Sequence, residues 1–538
     1  VLLLLAIPFF TALDDSSVWD ANEAFYVQTP REMIQRGDWL VPYFNGEPRL
    51  NKPPLSYWIV GLLYRLFGVS LFWERLTLAI AAYASVLFLY GIAKALLFDR
   101  YALLVAAIFT TTFRFQILAK RLLIDVLMLF CMLAAVWFLV RWLRDRRTGD
   151  FLVACLFLGL GFLSKGPVAL LPVFLLLMSA LFCRRWTVLR TVPWLPGILC
   201  FVLVASSWFV ALAIRLGPRP VLDFFLQENL GRYGYLTYGP SRGPLYYLGV
   251  FVGDSFPWSL LLLASLPWWL SRSRSWPATA ARHATVPAWI WLAGYLLFFS
   301  FSLNKQEYYI LPAYPAAALL LGIHWSERRP GQIAAISTGV LLVAAGVVLY
   351  VFGQQIFGSF SLAFVPPLFC ALSGVLLIGR RPLPAAILLA GFFASGFGLY
   401  LTRFELYKPV APLAELIKRD ANERGIGRDF TAGYFGYTAP SLAFYLDRPI
   451  LEIYDLEEAV AHLRSNRPVY LLVAEPDYAR LTEVVGKPLQ IVDRRPKLYT
   501  TARIFLEGFK RGGNPNKPSL WTRSIYLITN QPASRNGT

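Results

Sequence analysis

The sequence predicts a polytopic α-helical membrane protein that ends in a soluble α/β domain. Three observations predict it. Of 538 residues 57% are hydrophobic and only 15% charged, with mean hydropathy +0.53, a balance that soluble domains do not reach. Apolar runs near bilayer length recur as far as residue 404. The acids are also uneven. The first 404 residues hold seventeen, seven of them crowded between Asp14 and Trp58, whereas the last 134 residues hold fifteen.

Taken in order, the apolar runs place candidate spans at 1–13, 74–97, 101–118, 122–142, 151–164, 167–183, 193–214, 246–270, 286–303, 308–325, 331–353, 360–379 and 383–402, about thirteen in all. The first reads as a span shortened at its start, since Val1–Phe10 has no Met or basic n-region of a signal peptide. Basic residues mark alternate loops: Lys94/Arg100, Arg144/Arg146/Arg147, Arg184/Arg185/Arg190, Arg272/Arg274/Arg282, Arg328/Arg329 and Arg380/Arg381. The positive-inside rule assigns those loops to the cytoplasm. The first loop (14–73), the turn at Lys165-Gly166-Pro167, the segment 215–245, the turn 304–307 and the tail then lie outside. The formal charge of +19 follows from these loops and their anionic lipid, so nucleic acid is not an expected partner. The five cysteines sit in or beside apolar runs, which gives neither a disulfide framework nor a thiolate metal site.

Within the first loop, Glu23–Arg36 has helical spacing and Ser56–Phe67 reads as an amphipathic helix along the interface. Residues 1–404 form one module and 405–538 a second. The second has short β-type runs at Val469–Val473 and Ile504–Leu506 and helical runs at Pro412–Arg424 and Leu456–Arg464, and no catalytic motif.

An acid-rich loop between spans points to chemistry. Glu23, with Asp20 three residues before it, is a candidate to take or orient a hydroxyl proton, although an acid at a helix start also serves as a cap. Asp125, in Leu122-Leu123-Ile124-Asp125 with Arg121 beside it, is an acid within a span. Such acids face a polar cavity or a partner; the plain alternative is an ion pair with Arg121 or Arg114. Lys52, stiffened by Pro53-Pro54, Arg49, Lys165 and Lys305 are cations on the outer side. Snorkelling explains any one of them, but together they suit a departing phosphate. Gln227–Tyr233 and Arg242 are candidates for a far wall. There is no Walker loop or Rossmann fingerprint, and only three histidines, so a lipid-borne donor fits better than a soluble nucleotide sugar.

The acidic first loop, Asn51-Lys52-Pro53-Pro54-Leu55, Leu123-Ile124-Asp125 and Leu163-Ser164-Lys165-Gly166-Pro167 together resemble the GT-C glycosyltransferases. The nearest relatives look like the bacterial aminoarabinose transferases that modify lipid A and the dolichyl-phosphate-mannose–protein mannosyltransferases. The resemblance covers about residues 1–325. It implies a GT-C fold of about thirteen spans, a polyprenyl-phosphate (undecaprenyl-phosphate) sugar donor, and a lipid, glycan or protein acceptor. It implies catalytic carboxylates at Glu23 (or Asp20) and Asp125. It implies substrate-binding roles for Asn22, Arg49, Asn51, Lys52, Arg121, Lys165, Arg242 and Lys305, with Tyr308 and Tyr309 lining the cavity. The chain departs from those relatives at Asn22, where they have Asp, an amide that takes no proton. It departs again at Asn51, where they have an acid linked to metal binding. A divalent metal is thus doubtful here, and no other cofactor is implied. A transporter is the alternative from another class.

Overall fold

The computed structural model describes the whole chain except residues 98, 122, 183–185, 236–241, 273–279, 329–330, 358–360, 487–488, 499–521 and 533–538. The protein is a multi-pass helical membrane protein. Among the described residues six helices are long and apolar enough to cross a bilayer: Leu71–Leu96, Leu123–Asp145, Thr148–Lys165, Trp194–Leu216, Gln332–Gln354 and Pro382–Tyr407. A pair bent by 111°, Tyr246–Asp254 and Trp258–Ser271, passes the same test together. The bend follows the cis Phe256-Pro257 step. The other apolar runs form shorter helices or break. The run 101–118 divides at Thr111-Thr112 into Asp99–Thr110 and Phe113–Leu118, and 308–325 begins as a 3-10 turn, Glu307–Ala313, before Tyr314–Glu327. Gly339 and Gly374 face each other so closely that a Cβ on either would meet the other's backbone, the small-residue contact by which lipid-embedded helices approach.

The first loop is built on the helix Asn22–Arg36, which ends at Gly37 in the left-handed region (φ +69°), where glycine carries no Cβ penalty. Asp38 Oδ1 then accepts from the amides of Leu40 and Val41, an Asx turn that reverses the chain. A two-residue hairpin follows, with Tyr43–Phe44 paired to Glu47–Pro48. The helix Leu55–Phe67 matches the expected interfacial helix within a residue. One indole ties two parts of this loop together and another fastens it to the bundle: Trp58 Nε1 donates to Trp39 O at 2.7 Å, and Trp208 Nε1, from the helix Trp194–Leu216, to Leu40 O at 2.8 Å.

After residue 404 the chain forms a five-stranded sheet in the order 451–453, 431–435, 469–474, 522–529, 490–498. The first three strands are parallel and the last two antiparallel. The expected elements recur as Val410–Glu423, Leu456–Arg464 and Val469–Ala474; the expected run Ile504–Leu506 lies outside the described residues.

One buried ion pair ties the loop to the bundle. Arg75, in the first turns of the helix Leu71–Leu96, uses all five of its N–H donors. They go to both oxygens of Glu23 (2.8 and 3.2 Å) and to the carbonyls of Leu13, Ser16 and Ser17 at 3.2, 2.6 and 3.0 Å. Glu23 is fully buried and also accepts from the Trp19 amide at 2.7 Å. Removing one partner leaves an uncompensated buried charge, which costs about 3–5 kcal/mol. Glu23→Gln and Arg75→Met should therefore each lower the thermal unfolding midpoint in lipid or detergent. A Glu23→Gln protein with wild-type stability and no turnover would instead place Glu23 on the substrate.

Candidate active site

Asp125 is the centre of the site. It lies in the first turn of the helix Leu123–Asp145, 1% exposed, and its Oδ1 is paired with Lys165 Nζ. Its second oxygen, Oδ2, is buried and has no hydrogen-bond partner. Lys165 is the last residue of Thr148–Lys165. Gly166, at φ +89°, ends that helix, and a Cβ there would meet the Phe224 ring, so the turn requires glycine. Ser164 Oγ donates to Ile124 O at 3.0 Å, which holds the two helices in step just below the ion pair. The partner of Asp125 is therefore neither Arg121 nor Arg114; Arg114 binds Asp254 at 2.8 Å.

Tyr308 and Tyr309, edge to face at 5.2 Å, cover Lys165. Its ammonium stands 5.3 and 5.2 Å from their ring centres, a cation–π arrangement. Lys52 faces the same group. Its charged neighbours are Arg232, Lys165, Glu228 and Asp125. Burial, aided by the positive Arg232 and Lys165, pulls its ammonium down to about 7. Among the described residues Lys52 has no hydrogen bond and no ion pair. Glu228 and Arg232 pair at 2.6 Å around the π-helical turn Leu226–Gly231. The structure thus brings Lys52, Asp125, Lys165, Tyr308 and Tyr309 into one cluster, with the far wall Gln227–Tyr233 against it.

Arg49 lies flat on Phe25, 3.7 Å from the ring centre, with Phe44 behind it at 5.9 Å, and its Nε is buried without a partner. Asn51 Oδ1 is likewise buried and unpartnered. Asn22 is exposed at the start of its helix. Arg121 stacks loosely on Trp19 at 6.0 Å and has no ion pair among the described residues.

Four expected site residues are committed elsewhere. Glu23, expected as a catalytic carboxylate, is enclosed by Arg75 and the Trp19 amide, so no oxygen of it is presented to the Asp125 cluster. Asp20, the other candidate base, accepts from the Ser441 amide at 2.8 Å and from Ser441 Oγ at 2.5 Å. Burial lifts its carboxyl to about 6 against the pull of those two bonds. Lys305 turns inward, 6% exposed, and donates to Ser302 O. Arg242 binds Glu307 at 3.0 Å and the Lys305 carbonyl at 2.8 Å, with Tyr246 OH donating to Glu307 at 2.6 Å. Both of these basic residues brace the turn that presents Tyr308 and Tyr309.

Tyr26 and Arg75 stand beside the site or support it without having been singled out as site residues. Tyr26 stacks on Tyr57 at 5.9 Å and has Arg49, Asp125 and Tyr308 as charged or polar neighbours. Its period-matched place on the loop helix was the available signal. No group of three or more His, Cys, Asp or Glu among the described residues is arranged to hold a metal ion. Asn51 offers an amide oxygen without charge, and one oxygen of Asp125 is taken by Lys165.

Residues 51–210 match the family model described as dolichyl-phosphate-mannose-protein mannosyltransferase. An uncharacterized protein of Aquifex aeolicus is 27% identical over 84% of this chain and 87% of its own length. An undecaprenyl phosphate-alpha-4-amino-4-deoxy-L-arabinose arabinosyl transferase of Pseudomonas aeruginosa (strain UCBPP-PA14) is 31% identical over 65% of this chain, and the match spans 65% of that enzyme. In structure the chain is similar to ArnT from Cupriavidus metallidurans bound to undecaprenyl phosphate. The TM-score is 0.72 with 18% identity, over 98% of this chain and 97% of the other, a likeness of fold. By sequence the chain is similar to the mannosyltransferase family model and to the arabinosyl transferases, and by fold it is similar to ArnT.

Proposed function

We propose that this protein transfers a sugar from a polyprenyl-phosphate donor, of the undecaprenyl-phosphate type, to a hydroxyl or phosphate of a lipid, glycan or protein acceptor. The reaction takes place at the periplasmic face of a bacterial inner membrane. The observation that carries the reading is Lys52: a half-buried ammonium without a partner, beside a buried carboxylate with one unpartnered oxygen. A cation left unpaired at low dielectric is stabilised by an anion arriving with the substrate. The named undecaprenyl-phosphate donor of the arabinosyl transferases and the undecaprenyl phosphate bound to the structurally similar ArnT support a lipid-borne donor. The basic residues at the end of the bundle opposite Asp125, such as Arg141, Arg144 and Arg147, support the periplasmic side for the site.

In this mechanism the donor phosphate sits on Lys52 and Arg49. The acceptor oxygen attacks the anomeric carbon, the bond from that carbon to the phosphate oxygen breaks, and the electron pair leaves with the phosphate. Asp125 Oδ2 receives the acceptor proton, while the ion pair with Lys165 holds the carboxylate in place. A single displacement inverts the anomeric centre. Asn22, exposed at the start of its helix, carries an amide that orients a hydroxyl without taking its proton. The findings favour transfer over transport: the one bent helix pair among the described residues has no counterpart of the kind transporter repeats provide.

Purified protein in lipid with undecaprenyl-phosphate sugars tests the reading through acceptor-dependent release of undecaprenyl phosphate. Asp125→Asn should lower kcat by about 10²–10⁴-fold; wild-type turnover in that variant overturns the assignment of the base. The charged form of Lys52 is lost as pH rises through about 7, so the donor KM should climb between pH 6 and 8. Lys52→Arg, which keeps its charge at every such pH, should flatten that climb.

A further inference from the structure

The first loop makes most of its polar contacts beyond the bundle with one short stretch of the C-terminal domain, residues 441–452. Asp20 takes both bonds of Ser441, and the Val18 amide donates to Tyr445 OH at 2.7 Å. Arg31 pairs with Asp447 at 2.8 Å and donates to Phe444 O at 2.9 Å. Asn45 closes the series with a reciprocal pair: its Nδ2 donates to Ile450 O at 2.9 Å and its Oδ1 accepts from Ile450 N at 2.6 Å. In effect the side-chain amide of Asn45 extends the domain's edge strand, Leu451–Ile453, where its neighbours leave backbone groups free.

Asn45 is also the corner of the hairpin that carries the phosphate-binding cations. Asn45 and Gly46 have φ +57° and +86°, the geometry of a type I′ turn. Glu32 fixes that turn from within the loop by accepting from the amides of Asn45 (2.8 Å) and Gly46 (3.1 Å). The strand before the turn supplies Phe44, which packs on Phe25 at 4.7 Å to form the aromatic seat of Arg49. The strand after it leads through Arg49 and Asn51 to Lys52. We propose that the C-terminal domain acts as a clamp on the donor site, and that Asn45, through Ile450, is a positioning residue that sets Arg49 and Lys52 for the donor's phosphate. The domain touches no reacting atom; it fixes the register of the loop that does.

This proposal rests on the donor reading above, and its test separates the two. Asn45→Gly keeps the left-handed turn and deletes both bonds to Ile450; Ser441→Ala loosens the neighbouring anchor at Asp20. Full-length variants are compared with wild type by hydrogen–deuterium exchange and by steady-state transfer from an undecaprenyl-phosphate sugar. Asn45→Gly should raise exchange of residues 43–54 selectively. It should also raise the donor KM about tenfold, the effect of losing one to two hydrogen bonds, with kcat at saturating donor unchanged. Ser441→Ala should give a smaller shift in the same direction. Unchanged exchange and KM in Asn45→Gly overturn the clamp, as does a fall in kcat together with chain-wide loosening. If the wild type transfers no sugar, the donor reading fails, and exchange at 43–54 alone decides the clamp.

Discussion

The pairing of Glu23 with Arg75 is the constraint on which the rest of the site depends. An arginine at the head of a membrane helix that spends every donor on a single loop leaves that loop one way to lie. From this fixed point the helix Asn22–Arg36 runs out to the C-terminal domain, and the hairpin and Asn51–Pro54 return to the bundle. The site is then closed by helices that arrive from elsewhere in the sequence, carrying Asp125, Lys165 and the two tyrosines. The buried pair is a device of specificity more than of stability, since taking two charges out of water returns little net energy.

The charges of the site fall into two kinds. Lys165, Arg242, Arg114 and Arg232 each answer an acid, and these pairs shape the walls. Lys52 and Arg121 answer none among the described residues. The contrast separates framework cations from those open to a ligand's charge more sharply than burial does, because the paired and unpaired cations are buried to similar degrees.

Much of the fold was legible in the sequence because lipid allows few choices: apolar length and basic loops mark helices and their ends. Among the described residues six of the expected runs hold helices long enough to span and a seventh holds the bent pair, and the helix Leu456–Arg464 was placed to the residue. Which helices break was not legible. Tyr246–Ser271 bends by 111° at a Phe-Pro-Trp step that hydropathy averages away. Asp125 and Lys165 drew notice because a charge at a span end has few explanations, and Lys52 because prolines stiffen the chain after it; the structure brings the three together. Glu23 and Asp20 were misplaced for a physical reason. An acid in a loop looks the same in sequence whether its partner is substrate or a residue far along the chain, and here the partners are Arg75 and Ser441. The hairpin at Asn45-Gly46 has its signal in the sequence, an Asn-Gly pair at a two-residue turn, although the sequence gives no hint that its amide meets Ile450.

The unpaired ammonium of Lys52 has a consequence for the reaction cycle. A sugar-bearing donor is a phosphodiester with a single negative charge, whereas the lipid phosphate left after transfer is a monoester of nearly two. A site whose positive charge is unanswered holds the second more firmly than the first. In the proposed transfer, the charge that draws the leaving group away from the sugar also holds the spent lipid phosphate, so release of that product works against the same attraction.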